Sequence, residues 1–456
     1  MSDKPTFENI DECVEYWRKH WRVPGIAVAV LHDGEVTAAG YGVSSIETEY
    51  PVSKDTLFQI GSISKVYTTS LVMTLVDEGL VDLDEPVKTY LPELKLKDES
   101  VEKSVTLRHL VSHTSGIFGD HFEDFGMGDD ALARYVESMA ELRQIYAPNE
   151  LWSYTNSGFN LAGRVMEKLL DKPFEDIMRE RIIDKAGFER TFQFPVEAIT
   201  YPLAVGHVHP DPSDEETLEV ARRYPLPRTS HAAGGIISNV LDQIKFAQLH
   251  LNKGKVGDVQ VLSEASVAAM QEPQTKAAGL ADEWGLGWML FNTPKHKTIG
   301  HGGTTNGFQA VLRIVPERNF AISILTNGDR GHAAELPILK WAYDHYLDIQ
   351  IPEHQPVEMD ESELNRFVGR YSQNLADITI RNDNGTLKMD VASKSALADS
   401  AEPKKVPSIS LAPLGGLTFL ITSGAGVGTT LDFVENPDGS LRFIRYGGRF
   451  ADRIEE

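Results

Sequence analysis

The segment FQIGSISKVYTTSLVMTLVDEG, residues 58–79, decides how this chain is read. A short apolar, strand-like run leads into Gly61, and the spacing predicts a helix over Val66 to Val76. Ser62 and Lys65 stand three apart where that helix begins, so they share a face and a hydroxyl can touch an amine. A serine on the first turn also lies among unpaired backbone N–H groups at the positive end of the helix dipole, which favours a developing oxyanion. Its own N–H is one candidate oxyanion donor. The S-x-x-K spacing alone is weak, because roughly two chance matches are expected in a chain of this size. Ser100 and Lys103 repeat it inside the polar stretch KDESVEKS, where a solvated loop is expected. The strand-like run before Ser62 and the helix after it favour the first match.

Two distant segments add reactive groups. Tyr154-Thr155-Asn156 in LWSYTNSGFN is the only Y-x-N of the chain. A neighbouring cation brings a phenol towards neutrality and desolvation does the same for an amine, so Lys65 and Tyr154 would shift one another and titrate as a coupled pair. Either can be the base on this reading, while packing alone is the simpler account of a tyrosine beside an apolar helix. His301-Gly302-Gly303 in TIGHGGTTNGF precedes an apolar strand. Its two glycines permit close approach of a ligand to the backbone, and an edge strand there offers N–H groups, of which that of Thr304 is assigned as the second oxyanion donor. His32-Asp33-Gly34 is another H-x-G, but Asp33-Gly34 is a hairpin turn signal.

Around these segments the chain reads as strands, helices, then strands. Phe7 to Trp21 has helical spacing, Ile26 to Leu31 and Val36 to Tyr41 form a hairpin, and Gly307 to Val315 and Phe320 to Leu325 form another across Pro316 to Asn319. Helices such as Phe159 to Leu170 lie between, and Ala333 to Leu347 closes the unit. IPEHQPVEMDES reads as a linker, giving a first domain over 1–350, a linker over 351–358 and a second domain over 359–456. In the last, Ile378 to Ile380, Thr386 to Val391, Leu417 to Ile421 and Leu441 to Tyr446 are separated by turn signals at Asn384-Gly385 and Asp438-Gly439, which predicts a small all-β barrel or sandwich.

Ser62-Ile63-Ser64-Lys65, Tyr154-Thr155-Asn156 and His301-Gly302-Gly303, in this order and so far apart, resemble the three motifs of the penicillin-binding proteins and serine beta-lactamases. The tyrosine form of the second motif is similar to the class C branch with its esterase and D-amino-acid peptidase relatives. TLRHLVSHTSGI, AAGGIISNVLDQIKFA and LTNGD resemble that branch too, so the likeness spans residues 7 to 345. The resemblance implies an α/β (α+β) fold of the beta-lactamase/transpeptidase type, with an antiparallel sheet flanked by helices, a helical region beside it and the active site between. It implies that Ser62 attacks a carbonyl, that Lys65 and Tyr154 carry its proton to the leaving group, and that water releases the acyl-enzyme. Asn156 is then expected to hydrogen-bond Lys65 and the substrate, and the N–H groups of Ser62 and Thr304 to form the oxyanion hole. His301 departs from the lysine of the K-T-G motif that helps many relatives bind a carboxylate. A mostly neutral imidazole is a weaker anchor, which favours an esterase or small-amide hydrolase over a beta-lactamase or DD-peptidase; a hydrogen bond from His301 to Tyr154 is the alternative. The C-terminal segment beginning SELNRFVGRY resembles the lipocalin-like appendage of some relatives, which can border the cleft.

Composition narrows the remaining classes. The formal charge of -23 disfavours phosphate backbones and anionic membranes as partners. No apolar run is long enough to span a bilayer, and the polar start MSDKPTFENI leads to a cytoplasmic expectation. A single cysteine, Cys13, excludes an intrachain disulfide and a multi-thiolate zinc site. A lipase-type triad would need G-x-S-x-G, which is absent. His207-Val208-His209 with Asp211 is the best metal candidate but has no second ligand group at helical spacing. The expectation is a hydrolase without metal or cofactor, acting on a small ester, amide or short peptide; the rival from another class is a binding or sensor protein that keeps the fold.

Overall fold

In the computed structural model, residues 5–454 are described apart from 212–213, 215, 225, 395–403, 406 and 425. Eight strands form an antiparallel sheet: β1 (Gly25–His32), β2 (Glu35–Gly42), β3 (Thr275–Lys276), β4 (Glu283–Trp284), β5 (Met289–Asn292), β6 (Lys297–Thr305), β7 (Phe308–Val315) and β8 (Phe320–Thr326). Their order across the sheet is β2-β1-β8-β7-β6-β5-β4-β3, so the first and last thirds of this unit meet at the β1–β8 pairing. Asp33 and Gly34 both take left-handed backbone angles, 51° and 82°, as a two-residue hairpin of this twist requires.

The central strands read as unbroken apolar runs because both faces are covered. Val28 and Val30 of β1, with Ile322 and Ile324 of β8, face α1 (Ile10–His20) and α5 (Gly331–Leu347), where Cys13, Val14 and Ile338 complete that layer. Ala27, Ala29 and Leu31 point the other way, into the larger core shared with the helical region. Cys13 is fully buried, and burial pushes its thiol up to about 12, so it is an inert core residue.

At the centre of that region, α2 (Ser64–Asp77) is buried on every side from Ser64 through Leu75 and opens to solvent only at its last two residues. It packs against α3 (Ser157–Leu170) and lies in the same core as α4 (Val240–Leu251). The second S-x-x-K differs from expectation: residues 99–104 are a short helix rather than a loop. Asp98 caps it through its side chain, while Ser100 and Lys103 are exposed on it.

The C-terminal strands close into a barrel. β9 (Gly369–Gln373), β10 (Ala376–Asp383), β11 (Thr386–Ser393), β13 (Ile409–Gly415), β14 (Thr418–Ile421), β15 (Thr430–Glu435), β16 (Leu441–Tyr446) and β17 (Arg449–Ile454) pair in succession, β17 returns to β9, and the two-residue β12 (Lys404–Lys405) extends one end of β11. Closure leaves the ring without free edges. Tyr371, Ile378, Met389, Phe419 and Phe433 fill it. Of the barrel and the sandwich, both allowed by the strand pattern, the barrel is the outcome.

Candidate active site

The turn that carries Ser62 is built from backbone interlock. Ser62 sits in a 3₁₀ turn, Gly61–Ile63, and the α-helix proper starts two residues later, at Ser64. Gly61 is left-handed, with φ of 51°, and a Cβ there would lie 2.7 Å from Thr304 N. A Cβ on Gly303 would lie 1.9 Å from Ile60 O and 3.1 Å from Ser62 N. The closeness that Gly303 of the third motif permits is therefore to the backbone of the Ser62 turn. Gly302 differs, since its Cβ would meet nothing nearer than 3.7 Å.

Ser62 is partly exposed, whereas Lys65 one turn on is fully buried. Lys65 Nζ lies 3.2 Å from Ser62 Oγ and donates to two carbonyl oxygens at 2.7 Å each, Asn156 Oδ1 and Ala233 O. Burial, and after it the Arg449 cation, push the Lys65 pKa far down, against a smaller opposing pull from Asp120. Both influences favour the uncharged amine over the ammonium. Tyr154 sits under it, with Nζ 4.8 Å from the ring centroid. Burial raises the phenol, while Ser62 and Arg449 pull it down. The Ser62 hydroxyl is near enough to favour the phenolate, yet no hydrogen bond of acceptable geometry joins it to Tyr154 Oη, which is buried without a partner.

His301 is placed differently from expectation. It is fully buried between Tyr154 and Trp284, with ring centroids 6.3 Å and 5.5 Å away, so it does not face substrate in this state. Its Nδ1 meets Gly302 O at 2.5 Å, Nε2 has no partner among the described residues, and no hydrogen bond joins it to Tyr154. Burial holds its pKa down to about 3, so the third motif brings no positive charge to the cleft. Thr304 is the exposed member of that strand end: its Oγ1 donates to Gln309 Oε1 at 2.6 Å and lies 3.2 Å from His332 Nε2, whose Nδ1 meets the buried Glu335.

Three neighbours of the site escaped sequence reasoning. His113 stacks on Tyr154 at 4.3 Å and accepts the Thr155 N–H through Nδ1. Asp120 accepts from Asn156 Nδ2 at 3.0 Å, so Asn156 meets Lys65 as expected but commits its amide nitrogen to a carboxylate. Arg449, from the barrel, donates to the other oxygen of Asp120 at 2.7 Å and stands 4.8 Å from the Tyr154 ring centroid. His113 lies inside TLRHLVSHTSGI, a segment that signalled the family without a role for this residue. No local signal marks Arg449, which is 329 residues from Asp120.

The H-x-H pair is structural. His207 Nδ1 meets Asn327 O and its Nε2 accepts from Ile46 N, while His209 Nδ1 meets Asp329. Among the described residues no group of three or more His, Cys, Asp or Glu is arranged to hold a metal ion, and no helix is long and apolar enough to cross a membrane.

The family model described as Beta-lactamase matches residues 10–343. Penicillin-binding protein 4 of Amycolatopsis lactamdurans is 33% identical over 366 residues, which cover 78% of this chain and 95% of that protein. The crystal structure of SurE superposes with a TM-score of 0.75 at 26% identity and covers 98% of both chains, barrel included. D-amino acid amidase from Ochrobactrum anthropi SV3, complexed with L-phenylalanine amide, shares the fold of the first unit, with a TM-score of 0.61 at 20% identity over 74% of this chain and 99% of its own. Matched by that family model over most of its length and by a penicillin-binding protein at 33% identity, the chain belongs to the beta-lactamase family and is a serine hydrolase.

Proposed function

We propose that the protein cleaves a small amide, ester or short peptide through an acyl-enzyme on Ser62, with Lys65 as the general base. One observation carries the assignment. A neutral amine has two N–H bonds and one lone pair, and both hydrogens of Lys65 have acceptors that can only accept, the carbonyl oxygens of Asn156 and Ala233. The lone pair is left for the third neighbour, the Ser62 hydroxyl at 3.2 Å. Lys65 takes the Ser62 proton as Oγ bonds to the substrate carbonyl carbon. The carbonyl electron pair moves onto oxygen, where the N–H groups of Ser62 and Thr304 receive it. When that pair returns, the bond to the leaving group breaks and Tyr154, held protonated by burial, gives its proton to the departing nitrogen or oxygen. The Lys65 ammonium restores it. Water then repeats the sequence to release the acid.

One feature supports a substrate other than a lactam: His301 is buried and uncharged. Residues 1–350 form the hydrolase unit in this proposal and 359–456 the barrel. The test is a panel of a p-nitrophenyl ester, a D-aminoacyl amide and a chromogenic cephalosporin, on the wild type and Ser62→Ala, with fluorophosphonate labelling in parallel. Turnover of the amide or ester, labelling at Ser62 and loss of both in the variant are expected. Turnover surviving in Ser62→Ala removes Ser62 from the reaction, and a cephalosporin turned over fastest replaces the amide reading with a lactamase.

A further inference from the structure

The barrel enters the active site by one hairpin. Between β16 and β17 the turn Gly447-Gly448 is left-handed at both residues, with φ of 57° and 75°, and Gly448 O accepts the Tyr154 N–H at 2.8 Å. A Cβ on Gly448 would lie 2.6 Å from Leu280 and 3.1 Å from Trp152, so the turn is seated tightly between them. Other bonds tie the same face to the same segment. Arg445 donates to Trp152 O at 2.7 Å, Asn374 donates to Asp120 O at 2.7 Å, and Arg442 donates to Ile145 O at 2.8 Å.

Arg449 follows the turn, and the bonds leading from it have one sense only. A guanidinium donates and never accepts; the Asp120 carboxylate accepts and never donates. Arg449 Nε occupies Asp120 Oδ2, and Asp120 Oδ1 takes the hydrogen of Asn156 Nδ2. An amide cannot present nitrogen at both ends, so the Asn156 oxygen is turned to Lys65, where it accepts an N–H at 2.7 Å. That N–H and the one on Ala233 O leave the lone pair aimed at Ser62.

We propose that Arg449, supplied by the C-terminal barrel, is a positioning residue for the reaction: through Asp120 and Asn156 it sets the orientation of the Lys65 amine, so the hydrolase unit is incomplete without the barrel. The inference rests on Lys65 being the base that serves Ser62. Electrostatics act in the same direction. The titratable or charged groups facing the Lys65–Tyr154 pair are Asp120, His113, His301 and Arg449. Both histidines have their pKa values held down, chiefly by burial, so Arg449 is the permanent cation among them and favours the neutral amine.

The test uses the full chain with Arg449→Gln, Arg449→Lys and the double variant Arg449→Gln/Asp120→Asn. The double variant removes the buried carboxylate that Arg449→Gln alone would strand, and so keeps the test available if the single variant does not fold. Active sites are counted by the fluorophosphonate burst, and kcat and KM are followed against pH. With the cation gone, Lys65 holds its proton more tightly, so the acid limb of kcat/KM moves to higher pH, by roughly one unit for the loss of one neighbouring charge. The kcat per titrated site is expected to fall roughly 10- to 100-fold with KM changed far less. Arg449→Lys is expected to restore the position of the acid limb and part of kcat. A role confined to holding the barrel in place would lower the number of titrated sites and leave the pH profile and kcat per site unchanged. That result overturns the inference while Ser62→Ala stays inactive and the acyl-enzyme reading stands. An active Ser62→Ala sinks that reading itself.

Discussion

Gly303→Ala should damage catalysis far more than Gly302→Ala, although the two substitutions are chemically identical and adjacent. The new Cβ at 303 would lie 1.9 Å from Ile60 O, whereas 3.0 Å is about the smallest separation a real Cβ shows. Backbone on both sides leaves no side chain to rotate away. The strand is held in register by its pairing with β7, Gly303 opposite Ala310, so the segment that yields is the Ile60–Ser62 turn, by about 1 Å. A displacement of about 1 Å at reacting groups costs on the order of a hundredfold in rate, or about 2.7 kcal/mol of transition-state stabilisation. Overpacking against a rigid neighbour also costs roughly 1–3 kcal/mol of stability. At 302 the nearest atoms are Ala310 O at 3.7 Å and His332 Cε1 at 3.9 Å, ordinary contacts, so activity within about threefold of wild type is expected. The assay is kcat/KM on the best substrate of the panel, normalised to titrated active sites, with thermal unfolding of each variant. A Gly303→Ala enzyme within threefold of wild type would refute the reading that Gly303 is there to let the Ser62 turn pack against the strand.

Two further outcomes follow from buried charges. Burial pushes the Glu175 carboxyl up, but hydrogen bonds from His231 and Arg228 more than offset it and hold it at about 2, against an ordinary 4.5. A depressed carboxyl contributes stability that is whole above its unfolded value and is lost as pH falls through its folded value. Glu175→Gln should therefore cost about 3 kcal/mol at neutral pH and progressively less between pH 4.5 and 2, read from urea unfolding across that range. Equal destabilisation at pH 2 and pH 7 would contradict it. His301→Lys, which restores the family's commoner residue, should not confer lactam turnover. Its ammonium would enter the closed space between Trp284 and Tyr154, so loss of thermal stability is expected instead, and rapid cephalosporin hydrolysis by a stable variant would show that the side chain reaches the cleft.

The reach of sequence reasoning followed the range of the interactions. Ser62 and Lys65 are one turn apart, so their contact was legible from spacing, although the turn is 3₁₀ and the helix begins at Ser64. The hairpin at Asp33-Gly34 and the strands around Asn384-Gly385 were legible because turn chemistry is local. The choice of barrel over sandwich was not, since closure depends on β17 meeting β9 some 80 residues away. His301 was misplaced for a similar reason: a histidine before two glycines looks the same whether its ring turns to the cleft or to the core. Trp284, on another strand, decides that it turns inward.

Chemistry that depends on residue type and short spacing was thus set by the chain alone: a hydroxyl with an amine beside it, a phenol and an amide in one motif, and a strand entrance able to approach a backbone. Which lone pair points where was decided only by tertiary structure. The Asn156 amide has no preferred sense until Asp120 claims its nitrogen, and Asp120 is held from its other side by a guanidinium that arrives from another fold unit. Hydrogen-bond direction is a property of pairs, and these pairs join residues 36 and 329 positions apart, where no local propensity reaches.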